Sequence, residues 1–559
     1  MPLQLLTLLK TKASRMACNT ALYNWSLRGH VPEQLVMRPV DPWPGDPEAG
    51  ESLSQGAFLW QGEYCVIKGG SWEPAHVSQA WLEHIHGFTW LRNLRAHASK
   101  NRTGPSSREL SRALVHNWIS HYKNWQALTW QPDITGERMA MWLSSYDFFG
   151  EEVFADSDDE QRFQDDFFDS VTRQARHLSR ALSHEWPDTV QGIGALQAGK
   201  GLLYAGLCLE GHAHWVTQSL KVITDEIDRQ ILGDGAHASR SPYQLLKALQ
   251  ILLDVRTALR AGDIPLPEKI QHAIDRMGPA LRFFRYNDKK LSAFNGVWES
   301  PIDLIDCVLG QAGFRSKTLQ SLPCAGFERL SQGRTMILMD CGATPARPYD
   351  RHAHAGPLSF EMTYGRERLF VNCGSHPLLP DWQDILRVTP AHNTVTLDHK
   401  NACEIKQDGH FARKTKKRSS LREEARNAIL IEASHDGYVP LNGFVHRRRL
   451  YLSDQGHDLR GEDTLVSAID PARPLPVAIR FHLHPHVTAS LTQDGTEALL
   501  RMQNGTGWRF HIAGAGMALE ESVYLGVGQQ PRKTRQLVIY NQIAEKKLQI
   551  KWALQKEGA

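Results

Sequence analysis

The chain has 559 residues, 41% hydrophobic and 22% charged, with a formal net charge of +3. That length predicts two large domains, or three, with interiors big enough for real cores. The near-balanced charge argues against a nucleic-acid partner, and no apolar run reaches the length of a membrane span.

Residues 1–75 read as an irregular segment, with NWSLRG and PVDPWPGDPEAG as surface-wrapping connections. The leading MPLQLLTLLKTKASR has its apolar run before its lysines, the reverse of a secretory signal, so the sequence by itself points to the cytoplasm. Eight cysteines are scattered with no CxxC pair, which argues against a cysteine zinc site or a redox motif and favours a reducing compartment.

From Ser78 the apolar residues recur at three and four, as in VSQAWLEHIHGFTWLRNLRAHA, and this pattern predicts an all-helical domain over 76–312. At least eight such helices follow one another, joined by short polar or Pro/Gly links. Tryptophans, Trp90 among them, concentrate in the first helices; an indole face stacks on a sugar ring, although tryptophans at helical spacing are more often core. After Gly313 the pattern becomes short alternating runs separated at Gly, Asn and Asp, predicting an antiparallel β-sandwich over 313–559.

Three segments carry chemistry. The first is DGAHASRSPY (Asp234–Tyr243), a polar stretch before a helix, in which Asp234 and Ser239 are also fit to cap locally. The second is RHAHAGPLSFEMTYGRERLFVNCG from Arg351, with His352 and His354 two positions apart ahead of a strand. The third is TPAHNTVTLD, which brings His392 to the start of another strand. Imidazoles at strand starts converge on one spot, as a base, a metal position or a hydrogen-bonded cluster that organises the sheet. The basic residues Arg447, Arg448 and Arg449 offer a local field for an acidic polymer, whereas the run Ala412–Arg418 reads as a solvated loop.

These segments, with HGFTWLRNL and LRFFRYNDKKLSAFNG, resemble the heparinase II/III-like family of polysaccharide lyases. The resemblance implies a multidomain α+β protein: an N-terminal incomplete (α/α) toroid, then a C-terminal antiparallel β-sandwich, with substrate in the groove between them. It implies β-elimination on a uronic-acid-containing polysaccharide, such as a glycosaminoglycan or alginate, in a bacterial cell envelope or periplasm.

Abstraction of the proton alpha to a carboxylate requires the carboxylate charge to be masked, a base near C5 and an acid for the departing oxygen. By resemblance His354 or His352 is the base, Tyr243 the acid, and Arg240, His237 or a glutamine (Gln191 or Gln197) masks the carboxylate. Trp90 and His392 complete the substrate-binding set. Tyr243 comes one residue before the family's usual tyrosine position, and the region around Gly192–Ala195 has neither Asn nor His. Those departures recommend an alternative, a non-catalytic glycan-binding protein that keeps the fold. Metal-bearing relatives suggest His354 and His392 as ligands of a structural zinc. Asn372 stands where an aspartate would be preferred, and an amide oxygen is a poor zinc ligand, so no cofactor is expected.

Overall fold

The computed structural model describes residues 16–558 apart from 68–71, 102–103, 151–156, 184–189, 299–300, 314–316, 376–379, 417, 426–427, 454 and 527–529. The leading residues 1–15, read above for an export address, and Lys417 of the basic run lie outside the described residues. The chain divides into two compact units, Met1–Gln230 with Lys247–Ile274, and Ile231–Leu246 with Asp275–Ala559; the division falls inside the helix Pro242–Ala261.

The first unit is helical. Its centre is the pair Pro132–Ser144 and Ile193–Cys208, which approach closely because small residues face each other. A Cβ on Gly201 would lie 2.4 Å from the Gly136 Cα, and one on Gly136 would lie 2.4 Å from the Gln197 carbonyl oxygen. Only glycine tolerates such an approach. On the first helix of this pair Arg138, with no exposed surface, donates to Gln174, to the Thr135 hydroxyl and to the His86 and Thr129 carbonyls, so its buried charge is hydrogen-bonded.

Among the described residues the second unit contains three large antiparallel sheets and a two-stranded one, Glu404–Ile405 with Phe411–Arg413. A five-stranded sheet includes Phe327–Gln332, Thr335–Asp340, Phe360–Tyr364 and Glu367–Phe370 in that order. An eight-stranded sheet begins Arg418–Ala425, Ala428–Tyr438, Phe444–Ser453, and a four-stranded sheet places Val395–Leu397 at an edge beside Leu475–His482. One apolar core joins the three large sheets, with Ile337 and Phe360 from the first, Ile431 and Leu450 from the second, and Ile479 and Phe481 from the third. Burial alternates along the strand Ala428–Tyr438 up to Gly437, as expected of a sheet with one face in the core. Thr335–Asp340 is instead buried at every position.

Two basic clusters depart from the surface reading. In the strand Phe444–Ser453 the middle arginine of the triplet points inward: Arg448 has no exposed surface and grips Asp463 through Nε at 2.8 Å and Nη2 at 3.0 Å. Its partners on either side, Arg447 and Arg449, pair with Glu432. In the run Ala412–Arg418, Arg413 donates to the Ala402, Gly437 and Asn401 carbonyls, and Lys414 reaches Asp350 at 2.8 Å, so these two tie loops together.

Candidate functional site

The second unit brings together the segment Ile231–Leu246, the loop after Phe284 and the two histidine-bearing segments of the sandwich. Asp234 shapes the first of these. One of its oxygens accepts from the Ala236 N–H at 3.2 Å and the other from the Ala325 N–H at 2.9 Å. Gly235 follows with φ +84°, where a Cβ would also strike the Arg276 carbonyl at 2.1 Å.

His237 is 2% exposed. Its Nδ1 accepts from the Ser239 N–H at 3.1 Å and from the Ser239 hydroxyl at 2.7 Å, so the neutral ring carries its proton on Nε2. Burial, with His352 alongside, pushes its pKa down to about 3. This imidazole is therefore neutral near pH 7 and supplies no cation to a carboxylate.

Arg240 adopts a left-handed backbone with φ +60°, a conformation that costs a non-glycine residue about 1 kcal/mol or more. Its guanidinium donates to the Ala325 carbonyl at 2.6 Å and the Ala343 carbonyl at 3.1 Å, pairs with Asp340, and lies over the Phe327 ring. The fork expected to clamp a substrate carboxylate is thus a buried structural ion pair. Tyr243, expected as the acid, is half-buried and packs its ring on Trp298 at 4.1 Å between centroids.

Asn295, 3% exposed and absent from the sequence-based site, joins the Arg240 segment to the His354 segment. Its amide nitrogen donates to the Arg240 carbonyl at 2.9 Å, and its oxygen accepts from the His354 N–H at 3.1 Å. The next residue, Gly296, donates its N–H to His354 Nε2 at 3.0 Å. His354 Nε2 is therefore an acceptor, its proton sits on Nδ1, and that proton is given to His392 Nε2 at 2.9 Å. His392 in turn donates from Nδ1 to the Val388 carbonyl at 2.8 Å. Every ring nitrogen of His354 and His392 is engaged, and both rings are held neutral. Burial moves the His354 pKa well below the ordinary imidazole value and that of His392 to about 4.

A metal would have to displace these bonds, so the pair does not fit a zinc site as it stands. Among the described residues no group of three or more His, Cys, Asp or Glu side chains is arranged to hold a metal ion. Asn372 is fully buried; its backbone N–H donates to Glu361 at 2.9 Å and its side-chain oxygen accepts from the Asn393 N–H at 3.2 Å. It organises the sheet.

His352 differs from its neighbour. It ends the 3₁₀ turn Tyr349–His352 and is exposed. The turn is anchored by Asp350, which has no exposed surface and accepts from His410 at 2.5 Å, the Phe411 N–H at 3.2 Å and Lys414 at 2.8 Å. Arg387 adds donations to the Ala353 and Asp350 carbonyls at 2.9 and 3.2 Å. Burial alone would raise the Asp350 carboxyl, but hydrogen bonds from Lys414, His410 and the Phe411 N–H, with the Lys414 charge, hold it below the usual carboxylate range. Arg351, also exposed, donates from Nε to His410 at 3.2 Å.

The other expected residues belong to the helical unit. Gln191 is exposed and Gln197 half-buried. Trp90 is 2% exposed, donates its indole N–H to the Ile85 carbonyl at 2.9 Å and packs on Phe58 and Phe88, so it is core and presents no face to a sugar. Sequence reasoning missed Asn295, Asp350 and Arg387. For Asn295 a signal existed, since FNG closes the motif that ends at Gly296.

Comparison with known proteins bears on this arrangement. Residues 315–553 match the family model described as heparinase II/III-like, C-terminal. FtsZ-localized protein C of Caulobacter vibrioides is 29% identical over 545 residues, spanning 94% of this chain and 91% of that one. A crystal structure of heparinase III superposes with a TM-score of 0.73 at 13% identity, covering 97% of this chain and 89% of that one. The heparan sulfate lyase HepC of Pedobacter heparinus gives 0.60 at 16% identity, with coverages of 96% and 87%. The fold is that of heparinase III, a helical N-terminal region followed by antiparallel sheets, as the sequence pattern predicted.

Proposed function

From the match of residues 315–553 to the heparinase II/III-like C-terminal model, we propose that the protein is a lyase cleaving a uronic-acid-containing acidic polysaccharide by β-elimination. The observation that carries the reading is the contrast between two neighbouring histidines. His354 has both ring nitrogens engaged, whereas His352 is exposed on a turn held rigid from behind. A base held in place on an exposed residue, and kept neutral because desolvation lowers its pKa to about 4, suits abstraction of the proton at C5. In this reading His352 is the base. His354, fixed by Asn295, Gly296 and His392, positions it, and Arg351 supplies the cation that masks the carboxylate.

One observation favours a second reading, a glycan-binding protein without catalysis. Arg240, the cation expected on the carboxylate, is committed to Asp340 and two carbonyls. The two readings separate in one experiment. Purified protein is incubated with alginate, heparin, heparan sulfate and hyaluronan while ultraviolet absorbance from a new double bond conjugated to the carboxylate is followed. The lyase reading expects a rise on at least one glycan that His352→Ala abolishes. Binding with no rise on any of them selects the second reading.

The likeness to a protein named for its localisation with FtsZ supports a site of action where FtsZ assembles. Imaging a fluorescent fusion of this chain beside labelled FtsZ tests that placement; a signal uncorrelated with FtsZ removes it.

A further inference from the structure

The elimination proposed above needs a proton donor for the departing oxygen, and Tyr243 packs on Trp298. A second tyrosine stands in the histidine segment itself. Tyr349 opens the 3₁₀ turn that His352 closes, and in a 3₁₀ helix the side chains at i and i+3 eclipse one another. The Tyr349 ring meets His237 edge-to-face, with centroids 5.9 Å apart. His352 lies against Gly296, where an added Cβ would come within 3.4 Å of the His352 Cβ. Phenol and imidazole therefore share one face of one turn, with Gly296 beside them. Asp350, between them in sequence, points the other way into its cluster with His410 and Lys414, which fixes the turn's orientation.

We propose that Tyr349, rather than Tyr243, is the proton donor of the reaction, acting as a pair with His352; this rests on the lyase reading. His352 takes the C5 proton, and the C5–H electron pair becomes the C4=C5 double bond. The C4–O bond breaks with its pair on the glycosidic oxygen, which takes the phenolic proton of Tyr349. The imidazolium then returns its proton to the phenolate, directly or through water, and both groups are reset with no co-reactant.

The test compares wild type, Tyr349→Phe and Tyr243→Phe on whichever acidic glycan gives the absorbance rise, with thermal melts to establish that each variant is folded. Tyr349→Phe is expected to lower kcat by about 100-fold or more with KM within about threefold, while Tyr243→Phe stays within about tenfold of wild type. A uronate carrying a good leaving group at C4, such as fluoride, needs no acid; on it Tyr349→Phe should recover to within about tenfold of wild type. If Tyr349→Phe does not fold, Tyr349→Leu is judged by the same leaving-group recovery. An active wild type with an equally active Tyr349→Phe, or with the larger loss in Tyr243→Phe, overturns this assignment and leaves the lyase reading standing. A wild type that eliminates from none of the glycans overturns both.

Discussion

At the scale of single residues, the second unit is organised by groups whose protonation is dictated by their neighbours. Backbone N–H donors from Ser239 and Gly296 fix the tautomers of His237 and His354, and the Val388 carbonyl fixes that of His392. Such rings are neutral when folded, with pKa values of about 3 for His237 and about 4 for His392 against an ordinary 6.5. The unfolded chain therefore binds more protons below that ordinary value. Stability should be flat above about pH 7 and fall between about 6.5 and 4, by about 1.4 kcal/mol per pH unit for each such histidine. Urea midpoints measured across that range check the sign; a midpoint that rises on acidification contradicts it.

Asn295 is open to a similar check. Replacing it with alanine leaves the Arg240 carbonyl and the His354 N–H unpaired in a buried place, so Asn295→Ala should cost about 1–3 kcal/mol in urea unfolding. An unchanged midpoint would remove it as the link. The FNG motif marked its position, but its role as the link was not legible because its partner His354 lies 59 positions away. Arg448 was legible and was misread. Three consecutive arginines on a strand cannot all face solvent, since alternation turns the middle one inward.

Among elements, the short turn Tyr349–His352 matters more than any strand around it. Its geometry comes from an inward carboxylate and an arginine that caps two carbonyls, which hold the turn from its inner side. Asp350→Asn removes the charge that Lys414 and His410 surround. It should cost about 2 kcal/mol and also lower kcat, whereas Tyr349→Phe should lower kcat with little change in stability. Equal kcat for Asp350→Asn and wild type would mean the turn needs no such anchor. The helix pair in the first unit has its own sensitive point: Gly201→Val drives a side chain into the Gly136 backbone and should cost at least about 1–3 kcal/mol, read from thermal melts. Strand and helix types were readable because each pattern repeats over many residues. The turn was not, because its conformation depends on Arg387 and Lys414, which are distant in sequence.

For the whole molecule, the fold class followed from two long stretches of opposite periodicity, and the likeness to heparinase III carries the same architecture at 13% identity. Chemistry is less transferable than fold. Here the helix-start arginine is structural, one histidine is locked in a neutral relay, and an exposed histidine beside a tyrosine is the pair we propose for proton transfer. The most direct measurement of that claim is the mass of the cleavage products. Elimination predicts fragments whose masses sum to that of the starting glycan, one of them unsaturated, and their loss in His352→Ala. Fragments that together gain one water per cut, or an intact glycan after binding, would contradict it.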